Sequence, residues 1–241
     1  MKIILSGYGT MGKIVEKMAL EKGHTIEGVF SIVNIESPYT IFSNVESLPS
    51  ADIIIDFSHP DNIIALLEGA KQHKIPMIVA TTGNRNNVIK AIEDAAKFCP
   101  IFFSENMSYG IHVFTKLLEY LVPLLDEFDI EIIEKHHNKK IDSPSGTALK
   151  IIDTIISSND NLHPFYERFT EPHKRELGEI GVSSVRGGTI VGEHSVIFAG
   201  NDEVIEITHT AQSKKIFAEG ALKVACLLKE KQNGIYSFDT I

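Results

Sequence analysis

The chain has 241 residues, 43% of them hydrophobic and 23% charged, the composition of a soluble globular protein large enough for one big domain or two small ones. Its 32 acidic and 23 basic residues leave a formal net charge of −9, which excludes a general nucleic-acid or membrane-surface binder, since either needs a basic face. No window approaches the roughly 20 apolar residues of a membrane span and the first apolar run is too short for a secretory signal, so a cytoplasmic location is expected.

The first half alternates short apolar runs with helical periodicity, as in βα units around a buried parallel sheet. Strands are predicted over Lys2–Ser6, Thr25–Phe30, 52–57, 76–80 and 101–103, and helices over 11–22, Pro60–His73 and 86–98. The fold class is therefore α/β, with a doubly wound sheet in this half.

Between the first strand and first helix, Gly7-Tyr8-Gly9-Thr10-Met11-Gly12 fits the G-x-G-x-x-G pattern in the context that gives it meaning. Gly7 serves the tight turn, Gly9 the approach of a pyrophosphate, and Gly12 close helix–strand packing, while the helix N-terminus favours the anion. Ligands of such sheets lie beyond the carboxyl ends of the strands, so Ala80, Thr81, Thr82 and Gly83 and then Ser104, Glu105, Asn106 and Met107 are expected along the same crevice, with Asp56-Phe57-Ser58 between them. The adenosine end is less regular. Ser31-Ile32-Val33-Asn34 follows the second strand without the acid expected to hold a ribose, and no Lys or Arg occurs between Lys22 and Lys71 to receive a 2′-phosphate. NADH and NADPH both stay open, with a lean to NADH. Cys99, among apolar neighbours like Cys226, has no second thiol nearby, and no zinc or other metal site is predicted.

Past Ser108 the rhythm changes. A helix is expected over 111–125, then the β-branched run 128–134, a basic cluster, and a helix over 144–157. After a loop-rich excursion, 157–175, come segments that read as antiparallel strands, 181–186, 189–191, 194–199 and 203–209, separated by Gly187-Gly188 and Gly200-Asn201-Asp202. The last helix, 213–229, is expected to return to the first domain.

The cluster Glu134-Lys135-His136-His137-Asn138-Lys139-Lys140 concentrates imidazoles and ammonium groups in an acidic protein and suits an anionic substrate that needs protons. His136 and His137 follow a strand, so they are expected on opposite faces with different tasks, one binding a carboxylate and the other exchanging a proton. Lys140 is a second cation and a candidate proton donor, whereas Lys135 and Lys139 read as solvated. Ser143 is expected to cap the next helix with Pro144 at its first position, leaving the amides of Ser145, Gly146 and Thr147 to cradle an anion. His112 and His209 read as structural histidines, and Arg186-Gly187-Gly188 and Gly192-Glu193-His194 as turns with a fold or subunit-contact role.

Taken together, these residues resemble the 4-hydroxy-tetrahydrodipicolinate reductase (dihydrodipicolinate reductase) family of diaminopimelate and lysine biosynthesis. The resemblance rests on the glycine turn, Asp56-Phe57-Ser58, Ala80-Thr81-Thr82-Gly83, Asn106-Met107-Ser108, the pattern H-H-x-x-K-x-D-x-P-S-G-T from His136, residues 186–194 and Ile207-Thr208-His209. It implies a Rossmann-type dinucleotide-binding domain of residues 1–107 and 213–241, and an α+β domain, 108–212, for substrate binding and tetramerisation. It further implies a homotetramer in which NADH or NADPH gives a hydride to a small cyclic dicarboxylate, with loss of water. Carried over by motif, His136 is the proton donor/acceptor, Lys140 the proton donor, and His137, Gly146 and Thr147 the substrate-binding positions, with Ser145 alongside. Ser143, Thr210 and Ser31 depart from the family's usual Ala, basic and acidic residues. The rival readings are a non-catalytic dinucleotide sensor and another two-domain dehydrogenase of a small carboxylate.

Overall fold

The computed structural model describes residues 1–81, 85–166, 168 and 170–241, which pack as two units: Met1–Tyr109 with Lys214–Ile241, and Gly110–Ser213. In the first, β1 (Lys2–Ser6), α1 (Thr10–Glu21), β2 (Thr25–Phe30), β3 (Ile41–Phe42), β4 (Ile53–Asp56), α2 (Pro60–His73), β5 (Met77–Val79), α3 (Arg85–Ala95) and β6 (Pro100–Phe103) follow in order. Then α4 (Tyr109–Leu121) leads into the second unit, with β7 (Asp129–His136), α5 (Gly146–Ser158), β8 (His163–Phe165), β9 (Glu179–Arg186), β10 (Gly192–Ala199) and β11 (Val204–Ala211). The chain ends in the first unit with α6 (Lys215–Leu228) and β12 (Gly234–Tyr236).

The first unit is a seven-stranded parallel sheet of order β12-β6-β5-β4-β1-β2-β3. Its central strands are apolar on both faces because both are covered. Ile3, Leu5, Ile53 and Ile55 pack with Val15 of α1 and Ala221, Leu222 and Ala225 of α6, while Ile4, Ile54, Met77 and Val79 pack with Ile63, Leu66, Val88 and Ile92 of α2 and α3. A Cβ on Gly220 would run into the Met107 carbonyl, so α6 lies against the backbone there.

The second unit is a mixed sheet of order β11-β10-β7-β9-β8. β10 is antiparallel to β7 and β11, but β9 runs parallel to β7 and β8, which corrects the expected antiparallel placement of 181–186. The reason is the connection: α5 and the segment after it form a crossover long enough to return the chain in the same direction. Residues 189–191 form a turn rather than a strand. The expected helix 111–125 stops at Leu121 and continues as a 3₁₀ turn, Val122–Leu124, with Pro123 inside it.

Register arranges this sheet in rows. Ile180, Ile130 and Phe198 form one, and Val182, Ile132, Val196 and Ile207 the next; these pack with Phe114 and Leu118 of α4 and Ile151 and Ile155 of α5. Two residues further along each strand the same face turns polar, giving the row Ser184, Glu134, His194 and His209. Arg186 and His136 come next. The candidate site of this unit is thus the polar continuation of its core.

Candidate active site

The glycine turn leaves the carboxyl end of β1, where β1 lies between β4 and β2 and the strand order reverses. Gly7 has φ +78°, a conformation that favours glycine, and donates its N–H to the Phe30 carbonyl at 3.0 Å. A Cβ on Gly12 would collide with the Gly7 carbonyl, whereas one on Gly9 would meet nothing within 4 Å and would only fill the space before α1. Gly9 is the N-cap of α1 without a side-chain cap bond, and the first turn carries no acid. An open cradle of unopposed helix amides fits the pyrophosphate of a dinucleotide. Thr10 is exposed at this end, while Tyr8 and Met11 pack partly against the core.

Tyr8 donates its hydroxyl to Glu16 at 2.5 Å, and Tyr39 reaches the other oxygen of that carboxylate at 2.8 Å. Burial, then its own bond to Glu16, push the Tyr39 phenol up to about 12. Behind the turn Asp56 is fully buried, accepting from Ser58 Oγ at 2.5 Å, and Ser58 accepts from Ser6 Oγ at 2.9 Å. Ala80 and Thr81 follow β5, and Ser104, Glu105 and Asn106 follow β6, at the carboxyl ends of strands in this sheet; Thr82 and Gly83 lie outside the described residues. Ser104 Oγ donates to the Asn106 carbonyl at 2.7 Å, which folds that strand end into a tight turn. Met107 is a core residue, its side chain buried. Ser31 is also buried, with its hydroxyl donated to the Val33 carbonyl.

In the second unit the residues of the basic cluster converge on a group to which the sequence had assigned no role. Glu134, fully buried, accepts His136 Nδ1–H at 2.6 Å and Arg186 Nη1 at 2.8 Å on Oε2, and Arg186 Nη2 at 2.6 Å, Ser184 Oγ at 2.7 Å and the Ser145 amide at 3.3 Å on Oε1. Burial pushes the Glu134 carboxyl up, but the bonds from Arg186, Ser184 and His136 outweigh it and hold it at about 2. Burial pulls the His136 imidazole below its ordinary value, against the upward pull of Glu134. Because the ionised carboxylate only accepts, the Nδ1 proton is fixed and Nε2 is left for chemistry. A Cβ on Gly192 would stand 3.2 Å from that Nε2.

The N-terminus of α5 differs from expectation in one residue that matters. Ser145, not Ser143, is the N-cap: its extended backbone lets Oγ accept the Ala148 N–H at 3.2 Å, and Pro144 precedes the helix after a cis peptide bond. The Ser145 amide, one of the three expected to cradle an anion, is instead engaged by Glu134. A Cβ on Gly146 would meet nothing within 4 Å. Lys140 Nζ pairs with Asp142 at 2.8 Å, while Lys135 pairs with Glu193 at 2.5 Å. His137 is half-buried, and its Nδ1 is buried without a partner among the described residues, as is Nδ1 of His194. His194 lies edge-on to His136, ring centroids 5.2 Å apart, and burial followed by the nearby His136 brings its imidazole down to about 4. Arg186 and His194 thus belong to this cluster rather than only to turns. Counting back by two from His136 reaches Glu134, but nothing in the sequence states which strand lies beside it.

A parallel sheet with a glycine turn at its switch point, in a chain whose second unit is rich in buried acid–base groups, is the pattern of the dinucleotide-dependent oxidoreductase class. Residues 1–107 match the family model described as dihydrodipicolinate reductase, N-terminus, and residues 110–241 that described as its C-terminus. A 4-hydroxy-tetrahydrodipicolinate reductase from Staphylococcus carnosus (strain TM300) is 50% identical over 100% of this chain and 99% of its own length. The one from Staphylococcus aureus (strain MRSA252) is 49% identical over 100% of both. Among solved structures, dipicolinate-bound dihydrodipicolinate reductase from Paenisporosarcina sp. TG-14 has a TM-score of 0.78 at 19% identity, covering 98% of this chain and 97% of that one. A C. glutamicum DAP dehydrogenase in complex with DAP shares the fold at a TM-score of 0.56 and 14% identity, over 98% and 92%. The chain belongs to the dihydrodipicolinate reductase family. It is an NAD(P)H-dependent oxidoreductase.

Proposed function

We propose that the chain reduces 4-hydroxy-tetrahydrodipicolinate to tetrahydrodipicolinate in diaminopimelate and lysine biosynthesis, with residues Met1–Tyr109 and Lys214–Ile241 holding the dinucleotide and Gly110–Ser213 the substrate. The reaction takes up a hydride and a proton and releases water. Bound nicotinamide supplies the hydride. Gly7, Gly9 and Gly12 with the amides of α1 hold the pyrophosphate, and the residues after β5 and β6 line the remainder of the crevice. In the other unit, the α5 amides at Gly146 and Thr147 receive one substrate carboxylate and His137 contributes a further contact. His136 exchanges a proton through Nε2, and Lys140 is the proton donor, released from Asp142 when substrate arrives.

The observation that carries this assignment is the bonding of one buried carboxylate, Glu134, to both His136 and the Ser145 amide, which sets an acid–base group beside a helix N-terminus suited to an anion. A dicarboxylate ligand also accords with the dipicolinate named in the Paenisporosarcina structure. Loss of nicotinamide absorbance on adding enzymically generated hydroxy-tetrahydrodipicolinate tests the assignment, and a flat trace beside an active control enzyme refutes it.

NADH is the preferred donor in this proposal, because no Lys or Arg lies between Lys22 and Lys71 in the sequence to meet a 2′-phosphate. The protein works in the cytoplasm as a homotetramer. The sheet face bearing Ile133, Val185 and Ile197 takes no part in the second unit's core, which leaves it for subunit contact. Light scattering at four times the 26.7 kDa chain mass is the expected result.

A further inference from the structure

We propose that Glu134 is a positioning residue for the reduction: it fixes His136 with Nε2 outward and, through the Ser145 amide, ties that imidazole to the anion-binding end of α5. The inference rests on the assignment of proton exchange to His136. It begins with a departure from pattern. The rows Ile180–Ile130–Phe198 and Val182–Ile132–Val196 are apolar, and a third apolar row would hold the strands as well as an ion pair does, because burying charge is rarely favourable for stability alone. In its place a carboxylate with no exposure gathers donors from β7, β9 and the start of α5. Arg186 grips both oxygens, and its Nη2 also donates to the Asp142 carbonyl at 2.6 Å, so the loop that carries Lys140 is fastened to the same group.

The titratable groups around His136 are Glu134 on its own strand, Arg186 on β9, His194 on β10 with His209 beyond it on β11, and Lys140 in the following loop. Of these only Glu134 accepts the Nδ1 proton. A carboxylate in that place selects the tautomer, raises the affinity of the ring for a second proton and prevents its rotation, all without touching substrate. The Ser145 bond gives the same carboxylate a hold on α5, so the proton-exchanging atom and the amide cradle keep a fixed separation.

Two measurements on the full-length protein test this. Nitrogen NMR of histidine-labelled wild type, free of substrate, should show neutral His136 as the Nδ1–H tautomer; a dominant Nε2–H form overturns the proposal whatever the enzyme catalyses. In Glu134→Gln, kcat should fall roughly tenfold or more, the His136 titration should move to lower pH, and NADH affinity should stay within about twofold. A Gln variant that keeps wild-type kcat and pH profile also overturns it, as does one that loses kcat and NADH affinity equally. Should this variant not fold, the tautomer still decides. A wild type that cannot turn over the substrate would instead refute the reductase assignment, leaving the NMR result standing.

Discussion

Ser145 Oγ lies 3.0 Å from His194 Nε2 while accepting the Ala148 N–H, so the cap of α5 is joined to a buried imidazole of β10. Burial, then the neighbouring His136, disfavour a proton on His194 and bring it down to about 4. The unfolded chain takes up this proton near pH 6.5, so stability falls as pH drops from 6.5 through 4, by on the order of 3 kcal/mol. Glu134 acts in a lower window: held at about 2, it contributes stability that is complete above about 4.5 and lost as pH falls through 2. Urea unfolding across pH should show both declines, with His194→Gln flattening the upper one and Glu134→Gln the lower.

Gly146 and Gly192 make a contrasting pair. Since a Cβ on Gly146 meets nothing within 4 Å, Gly146→Ala should leave the melting temperature unchanged yet raise the dicarboxylate KM, as the proposed docking of the anion there requires. Gly192→Ala instead crowds His136 Nε2 from 3.2 Å, and should lower kcat with little effect on KM. Steady-state kinetics beside thermal melts separates the two.

The roles proposed for the cluster divide by parameter. His136→Gln and Lys140→Ala should each reduce turnover by about 100-fold or more, while NADH binding by fluorescence titration stays unchanged. His137→Ala should mainly raise KM for the substrate. Equal losses of cofactor affinity in all three would contradict the division.

Cofactor choice has a direct measure. The ratio of kcat/KM with NADH to that with NADPH should exceed one, and a tenfold advantage for NADPH would remove the argument drawn from the missing basic residue. Placing an Arg at Val33, exposed beyond β2, should then move the ratio towards NADPH.

Legibility followed the range of the interactions. β1, β2 and α2 occupy the residues their periodicity predicts, because continuous apolar runs and Pro60 at a helix start are local signals. The edge strands β3, β8 and β12 have two or three residues each, too few to carry a period, and were not foreseen. The H-H-x-x-K-x-D-x-P-S-G-T pattern led to the right family because it is contiguous. Glu134, Arg186 and His194 come from three strands, and their meeting depends on a register that no segment declares alone. The cap moved from Ser143 to Ser145 for a similar reason: both serines suit the position locally, and contacts with Glu134 and His194 decide between them.

The pairing of Glu134 with Arg186 also guards the assembly of the sheet. If β9 docked against β7 one residue out of step, Val185 would face the carboxylate and the guanidinium would turn to the opposite side, stranding a buried charge at a penalty of several kcal/mol. The carboxylate that orients the His136 ring thereby also ties β9 to β7 in one register.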